Sequence, residues 1–490
     1  MDNNSKEKNK SLRRAMTAEK LTEMLREIDI SAAVESSGEY TAQARITALF
    51  DHGTFSRVGA YVNRSFEPDE PAGVICGYGA VGGRLVYAFV QDRARMSGAF
   101  DTASGKLICD LYSMAERNGA PLVGIFDSDG ACVYEGVRML ASLGRTMKSN
   151  SSAVGVIPRI ALVPGVCGGI NAVLASSFDF LISLKPAEKS RSEIYAVSPF
   201  VNEAKINPAR DGISAYEAED EAELYHFARK LISFLPSNNK EGTAYDSEVP
   251  DYELQRAPSL RGLGGEALVA EIADKKEYIR LFSEYAPEIA AGFALIGGIG
   301  CAYIASERTN IEGALTPAAC RVITKIQKFA DAFSIPLLTF VDCPGFDNSV
   351  TDNALYLDAA ASMSDSICFS RNPKISVVVG RAYGPGFVYM ASKSCGFDVS
   401  FALTESCISA LSPESSVAFV WNNRVKEGDL TSSREVLEAE WREKHASPNE
   451  AALCGEIDDI LTPSELRPRL VSALHMLLGK TNFEPVRRKR

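Results

Sequence analysis

Two glycine-rich stretches hold the residue types best suited to chemistry: Gly165-Val166-Cys167-Gly168-Gly169-Ile170 and Arg381-Ala382-Tyr383-Gly384-Pro385-Gly386, each directly after a run of apolar residues. Glycines at the end of a strand let backbone amides come close to a ligand. A helix that begins there turns its amides and its positive dipole end toward negative charge. Two such places in one chain suit a reaction with two transient oxyanions, since donors fixed in advance around a developing charge are a large source of catalysis. The same glycines also serve close packing of a strand on a helix, so the rest of the chain must decide between the two uses.

Other patterns fare less well. Gly77-Tyr78-Gly79-Ala80-Val81-Gly82 has dinucleotide-site spacing, but that site needs a helix after the loop, and the β-rich Arg84-Leu85-Val86-Tyr87-Ala88-Phe89 follows; it reads as a turn before a strand. Leu122 to Gly130 ends in Asp127-Ser128-Asp129-Gly130 and is similar to the nucleophile strand of haloacid-dehalogenase-type phosphotransferases, whose first Asp attacks phosphorus and whose second moves a proton. The corresponding Asp342-Cys343-Pro344-Gly345 keeps only the first Asp, so a shared turn accounts for both copies. The four histidines each have a structural reading: His52 in a turn, His226 and His475 on helices, His445 in a polar loop. No GxSxG stands near any of them, which disfavours histidine-dependent hydrolysis. The eleven cysteines include no CxxC and no Cys/His cluster, so no metal site is expected. An odd cysteine count without a secretory signal reads as reduced and cytoplasmic, with Cys76, Cys109 and Cys368 as core residues. Ala286 to Ala305 is interrupted by Glu288, Gly297-Gly298 and Gly300, which suits two strands and a turn better than a bilayer helix.

The elements that position the glycine turns come from a repeat. Gly98, Pro121, Asp127 and Gly130 are echoed by Gly313, Pro336, Asp342 and Gly345, and 313 − 98, 336 − 121, 342 − 127 and 345 − 130 all equal 215. Without gaps, nine of the 33 positions from Gly98 to Gly130 are identical across that offset, and Pro158/Pro373 and Ile160/Ile375 extend it. So long a period means a duplicated domain. Each half predicts a strand (Leu85 to Val90; Cys301 to Ala305), an amphipathic helix (103–117; 318–332), a short strand (Leu122 to Phe126; Leu337 to Val341) and another (Ile160 to Val163; Ile375 to Val379). Alternating strands and helices make an α/β architecture with functional loops at strand ends. The expected divisions are a polar tail 1–14, domains 15–235 and 262–480, a linker 236–261 and a basic tail 481–490, with a helix from Thr17 docked on the first half. With 46% apolar and 23% charged residues the chain is an ordinary folded protein. A formal charge of −11 repels phosphate backbones, so nucleic acid is excluded as a partner.

The sequence resembles the β-type carboxyltransferase subunits of biotin-dependent acyl-CoA carboxylases and decarboxylases, those of propionyl-CoA carboxylase and methylmalonyl-CoA carboxyltransferase among them. The resemblance runs from about Thr17 through Gly77-Tyr78-Gly79 with Gln91-Asp92, Gly119-Ala120-Pro121, Asp127-Ser128, Glu135-Gly136-Val137, Gly155 to Pro158, Gly165 with Cys167-Gly168-Gly169, and the junction Leu235 to Asn239. It continues with Thr339 to Asp342, Pro344-Gly345-Phe346, Ala382-Tyr383-Gly384, Pro413-Glu414, Ile457 to Ile460 and Arg467 to Leu470.

That resemblance implies a duplicated crotonase-like fold and transfer of a carboxyl group between biotin and the α-carbon of a short acyl-CoA, with an acyl-CoA side in the first domain and a biotin side in the second. It implies that Gly168, Gly169 and Ile170 hold the thioester oxygen, that Gly384, Pro385 and Gly386 hold the biotin oxygen, and that Ser128, Gly130 and Val388 bind substrate. Active sites of the family form between the N-half of one subunit and the C-half of another, so a homo-oligomer, dimer or hexamer, is implied. Neither a biotinyl Ala-Met-Lys-Met nor an ATP-grasp segment occurs; biotin would ride on a separate carboxyl carrier protein, with a biotin carboxylase or membrane decarboxylase subunits as further partners. A decarboxylase α subunit running the transfer backwards and a non-catalytic CoA-binding or assembly paralogue are the alternatives. Three departures bear on this: Ile170 and Pro385 stand where the family has glycine, and Cys132 stands in the segment where Asp-Ser-Gly-Gly-Ala-Arg is usual.

Overall fold

The computed structural model describes residues 40–64, 70–186, 192–197, 206–244, 256–257, 260, 262–308, 313–426 and 432–480. The expected tails 1–14 and 481–490, the helix from Thr17 and residues 245–255 of the expected linker lie outside them. The chain divides into two compact units, Met1–Glu241 and Gly242–Arg490.

The first unit runs α1 (Ala42–Leu49), β1 (Ser56–Val58), β2 (Val74–Val81), β3 (Arg84–Gln91), α2 (Thr102–Asn118), β4 (Leu122–Ile125), α3 (Val137–Ser152), β5 (Arg159–Val163), β6 (Val166–Gly168), α4 (Ile170–Ser176), β7 (Phe180–Leu184), β8 (Glu193–Tyr195), β9 (Tyr216–Ala218) and α5 (Glu221–Phe234). Its seven-stranded sheet has the order β1-β2-β3-β4-β5-β7-β9, antiparallel up to β3 and parallel beyond it, and β6 pairs with β8 in a separate ribbon. Strands β4, β5 and β7 are buried along their whole length, as parallel strands covered on both faces must be. Helix α2 lays Leu107, Ile108, Leu111 and Ala115 into the core. It starts where Asp101 accepts from the Ser104 amide and stops at the left-handed Gly119 (φ 59°).

The second unit runs α6 (Gly265–Ile272), β10 (Tyr278–Leu281), β11 (Ile289–Ile296), β12 (Ile299–Ser306), α7 (Pro317–Ala332), β13 (Leu337–Cys343), α8 (Asn353–Cys368), β14 (Lys374–Tyr383), α9 (Pro385–Met390), β15 (Val399–Leu403), β16 (Cys407–Ser409), α10 (Pro413–Val420), α11 (Asn422–Lys426), α12 (Ser432–His445), α13 (Pro448–Leu453), β17 (Asp459–Leu461) and α14 (Pro463–Leu477). Its sheet follows β10-β11-β12-β13-β14-β15-β17, with β16 beside the end of β14. The repeat read from the sequence is structural: β2 and β11, β4 and β13, β5 and β14, and α4 and α9 begin at Val74 and Ile289, Leu122 and Leu337, Arg159 and Lys374, and Ile170 and Pro385, each pair 215 apart. Buried carboxylates repeat with it. Asp51 accepts from the Gly82 and Gly83 amides in the β2–β3 turn, and Asp274 from those of Gly297 and Gly298 in the β11–β12 turn. Arg229 and Arg467 pair with the two carboxylates.

Several expectations need correction. Gly77 and Gly79 lie inside β2, not in a turn. They are glycine because a Cβ at 77 would meet Phe55 Cε2 at 2.4 Å and one at 79 would meet Phe50 Cδ1 at 2.7 Å; the turn comes later, at Gly82-Gly83. Strand β14 does not stop at Val379 but continues through Gly380 to Tyr383, drawn on by its pairing with β16. His445 ends helix α12 and packs on Trp441 and Trp421. Cys76 is core, but Cys109 is half-buried and Cys368 is exposed.

Candidate active site

The two glycine turns fold alike. β6 ends at Gly168, Gly169 takes φ 61° and ψ −127°, and α4 begins at Ile170; β14 ends at Tyr383, Gly384 takes φ 47° and ψ −118°, and α9 begins at Pro385. That backbone region is open essentially to glycine alone. The amides divide into two groups. Gly168 N donates to Ser128 O at 3.0 Å, Gly169 N to Tyr195 O at 2.8 Å and Gly384 N to Ser409 O at 3.0 Å, so these three hold the turns together. The next amides, those of Ile170 and Asn171 in the first unit and of Gly386 in the second, donate to no acceptor among the described residues, as first-turn amides of a helix do. Pro385 has no N–H to offer, but its fixed φ suits the first helical position. With seven and six residues, α4 and α9 are short, so directed N–H groups rather than a long dipole meet the charge.

Behind each turn sits a buried carboxylate, and its surroundings are duplicated. Asp127 accepts from the Val166 amide at 3.2 Å, from Arg93 Nη1 at 3.2 Å and from Arg45. Asp342 accepts from the Arg381 amide at 2.9 Å, from Arg381 Nε at 2.8 Å and from Arg308 Nε at 3.3 Å. Gly165 and Gly380 cover these carboxylates: a Cβ would come within 2.4 Å of Asp127 Cγ or 2.6 Å of Asp342 Cγ. Four members obey the repeat, since 308 − 93, 342 − 127, 380 − 165 and 381 − 166 are all 215, whereas at that offset Leu260 stands opposite Arg45 and Val166 matches Arg381 by its amide alone. Burial pushes the Asp342 carboxyl up, but donation from the Arg381 side chain and amide and the charge of Arg308 outweigh it and hold the group below the ordinary carboxylate range. In the first unit Arg45 carries the network on to Glu221, which burial raises against the pull of Arg45.

In the second unit the turn opens on a cavity of about 1090 Å³ lined by Gly384, Pro385, Phe346, Arg381, Arg308 and Asp342, among others. The Phe346 amide also donates to no acceptor among the described residues. The remaining sequence-derived candidates fall in different places. Ser128 is fully buried, and its hydroxyl donates to Gly130 O and accepts from Asn171 Nδ2 at 3.0 Å, so it braces the turn from inside. Gly130, at φ 151°, gives its carbonyl to Phe100 N, Ser128 Oγ and Asn171 Nδ2. Val388 is 44% exposed on α9 and does not line the cavity. Cys132 is buried with its amide on Phe100 O. Sequence reasoning missed Asn171, Arg93 and Arg308. The two arginines were findable, because they stand at the same 215-residue offset, just outside the segment compared; Asn171 faces Gly386 across the repeat and carries no such signal.

Amide donors above a buried, arginine-paired Asp, twice in one chain, can stabilise two oxyanions without a titrating side chain. None of the four histidines lines the cavity. Among the described residues no helix is long and apolar enough to cross a membrane.

Comparison with known proteins bears on the family and the fold. The carboxyl transferase domain matches residues 33–490. A putative propionyl-CoA carboxylase beta chain of Bacillus subtilis is 30% identical, with 93% of this chain and 94% of that one covered. The methylmalonyl-CoA decarboxylase subunit alpha of Propionigenium modestum is also 30% identical, over 92% and 93%. A crystal structure of transcarboxylase 12S, a hexamer with hydrolysed methylmalonyl-coenzyme A bound, superimposes with a TM-score of 0.83 at 26% identity, covering 93% of each chain.

Proposed function

The chain belongs to the carboxyl transferase domain family and has its duplicated crotonase-like fold, and from that premise we propose that it moves a carboxyl group between biotin on a separate carrier chain and the α-carbon of a short acyl-CoA, the propionyl/methylmalonyl pair being the substrate class. One observation carries the reading. Two turns of the same glycine-only geometry each leave first-turn amides unpaired, Ile170 and Asn171 in one unit and Gly386 in the other. Unpaired donors held rigidly are what an enolate oxygen and a ureido oxygen require.

Biotin supplies the carried carboxyl group and the oxygen on which charge gathers as that group leaves. The chain supplies the rest. In the first unit the amides of Ile170 and Asn171 hold the thioester oxygen, so that charge arising at the α-carbon is drawn onto it. In the second unit the amide of Gly386, in the turn whose Gly384 and Pro385 line the cavity, holds the biotin oxygen together with the cavity-lining Phe346. Gly168, Gly169 and Gly384 fix the paths of the turns, and Asp127 and Asp342 hold the strand ends that feed them. No side chain need change protonation, in keeping with the absence of histidine from the cavity lining.

The acyl-CoA side belongs to the first unit and the biotin side to the second, with a complete site formed by the N-half of one subunit and the C-half of another in a cytoplasmic homo-oligomer. The domain limits 15–235 and 262–480 belong to the same proposal. The biotin carboxyl carrier protein is a separate chain, and a biotin carboxylase or membrane decarboxylase subunits complete the system. The reading is tested by incubating the protein with free biotin and a panel of malonyl-type CoA thioesters and following decarboxylation. Biotin-dependent loss of the carboxyl from methylmalonyl-CoA is expected. Tight acyl-CoA binding by calorimetry without any biotin-dependent transfer would leave a CoA-binding or assembly subunit instead.

A further inference from the structure

Among the eleven free cysteines only Cys368 and Cys454 are exposed. Cys368, the last residue of α8, points its sulfur at Cys395, in the short turn that follows α9, and the two Sγ atoms lie 2.9 Å apart. A disulfide measures ~2.05 Å. The backbones that carry the thiols are also adjacent: a Cβ on Gly396 would stand 3.6 Å from Ile367 O and 3.7 Å from Cys368 O. Lys374, buried at the start of β14, donates from Nζ to Ile367 O and to Ser370 Oγ and fixes the end of α8. On the other side, Ser392 and Ser394 donate to Glu456, and Lys393 pairs with Asp458. Both thiols are therefore presented by anchored backbone, and they lie 27 residues apart in the chain.

We propose that Cys368 and Cys395 are a modification site, a thiol pair that closes to a reversible intramolecular disulfide and ties the end of α8 to the turn behind α9. The oxidant is a low-molecular-weight disulfide such as oxidised glutathione. Cys368, the exposed partner, attacks as thiolate, forming a mixed disulfide and releasing one glutathione. Cys395 then gives its proton to solvent and attacks the Cys368 sulfur, so the second glutathione leaves and the protein bond forms. Two electrons pass from the pair to the oxidant. Burial and the neighbouring Cys368 push the Cys395 thiol up to about 12, in keeping with Cys368 as first attacker and Cys395 as resolving thiol. The bond closes around β14 and α9 without touching Gly386 or its turn.

The test uses the full-length protein, treated with oxidised glutathione, alkylated and mapped by mass spectrometry. A peptide linking Cys368 to Cys395 is expected in the wild type, absent after dithiothreitol and absent from Cys368→Ser. Cys395→Ser should instead accumulate glutathione on Cys368, as exposed Cys454 does on its own sulfur. The thermal midpoint of the wild type should rise on oxidation and return on reduction, with neither variant responding. Stable glutathione on Cys368 in the wild type, or full alkylation of both cysteines after treatment, would overturn the proposal.

Discussion

Asp342 shows how a single side chain governs a backbone donor. Its carboxylate takes the Arg381 amide and guanidinium and the Arg308 guanidinium, so the strand arrives at Gly384 along one path only. Asp342→Asn keeps the shape but removes the negative charge that Arg308 and Arg381 both meet. Because Arg308 and Arg381 are partly exposed, screening tempers the loss to about 1–3 kcal/mol of stability. The Asp342 pKa is lowered in the fold, so its contribution is fully present above the ordinary value of 3.8 and fades as pH falls through the lowered one. Acid unfolding followed by circular dichroism should therefore show the wild type's advantage over Asp342→Asn shrinking below about 3.8; an advantage constant with pH would refute the role given to the charge. Pro385 poses the opposite question. Pro385 lacks the N–H that its counterpart Ile170 offers, but Gly386 still carries an unpaired amide and Gly384 N is bonded to Ser409 O, so the turn keeps one free donor on a fixed path. Pro385→Gly should leave single-turnover carboxyl transfer unchanged or lower it, since glycine loosens the loop; a clear acceleration would mean that a donor is missing there. From the sequence, the glycines of both turns were legible as residue types. Which amides stay unpaired was not, because that depends on Ser128, Tyr195 and Ser409 arriving from elsewhere in the chain.

At the scale of elements, each short helix begins where a strand ends, and one glycine makes the junction. Gly169→Ala or Gly384→Ala places a Cβ on a backbone that only glycine adopts freely, costing about 1–3 kcal/mol or forcing the turn to another path. Either way the first-turn amides move. We predict that each variant folds, by circular dichroism, yet loses on the order of a hundredfold or more in transfer rate, the effect of losing one oxyanion donor; near wild-type rates would show that these turns do not hold the oxyanions. Helical spacing of apolar residues made α2 and α7 readable to within a residue, the predicted 103–117 and 318–332 becoming Thr102–Asn118 and Pro317–Ala332. Strand ends were harder. Gly77 and Gly79 looked like turn residues because glycine punctuates turns, whereas here Phe50 and Phe55 press on the strand and leave no room for a side chain.

For the whole molecule, the duplication is what the sequence conveyed best, since an offset of 215 survives from Val74/Ile289 to Ile170/Pro385 in the fold. What a single chain's sequence does not convey is how copies assemble. The first unit exposes Tyr134, Val137 and Leu140 at and near the start of α3, at 87%, 78% and 59%, and apolar surface of that kind is characteristic of an interface. In the proposed oligomer these side chains are covered. Val137→Glu should then shift sedimentation toward smaller species and reduce transfer together, while the far-ultraviolet spectrum stays native; a variant that keeps both its assembly and its rate would remove this surface from the interface. The central claim, that backbone amides in duplicated turns move a carboxyl group between biotin and an acyl-CoA, is tested most directly by single-turnover transfer. Carboxyl-labelled methylmalonyl-CoA is mixed with the protein and a biotinylated carrier, and the label reaching the carrier is followed over time. The account predicts labelled carrier at a rate that Gly169→Ala and Gly384→Ala each cut about a hundredfold. Acyl-CoA bound at the protein with no label ever reaching the carrier would contradict it.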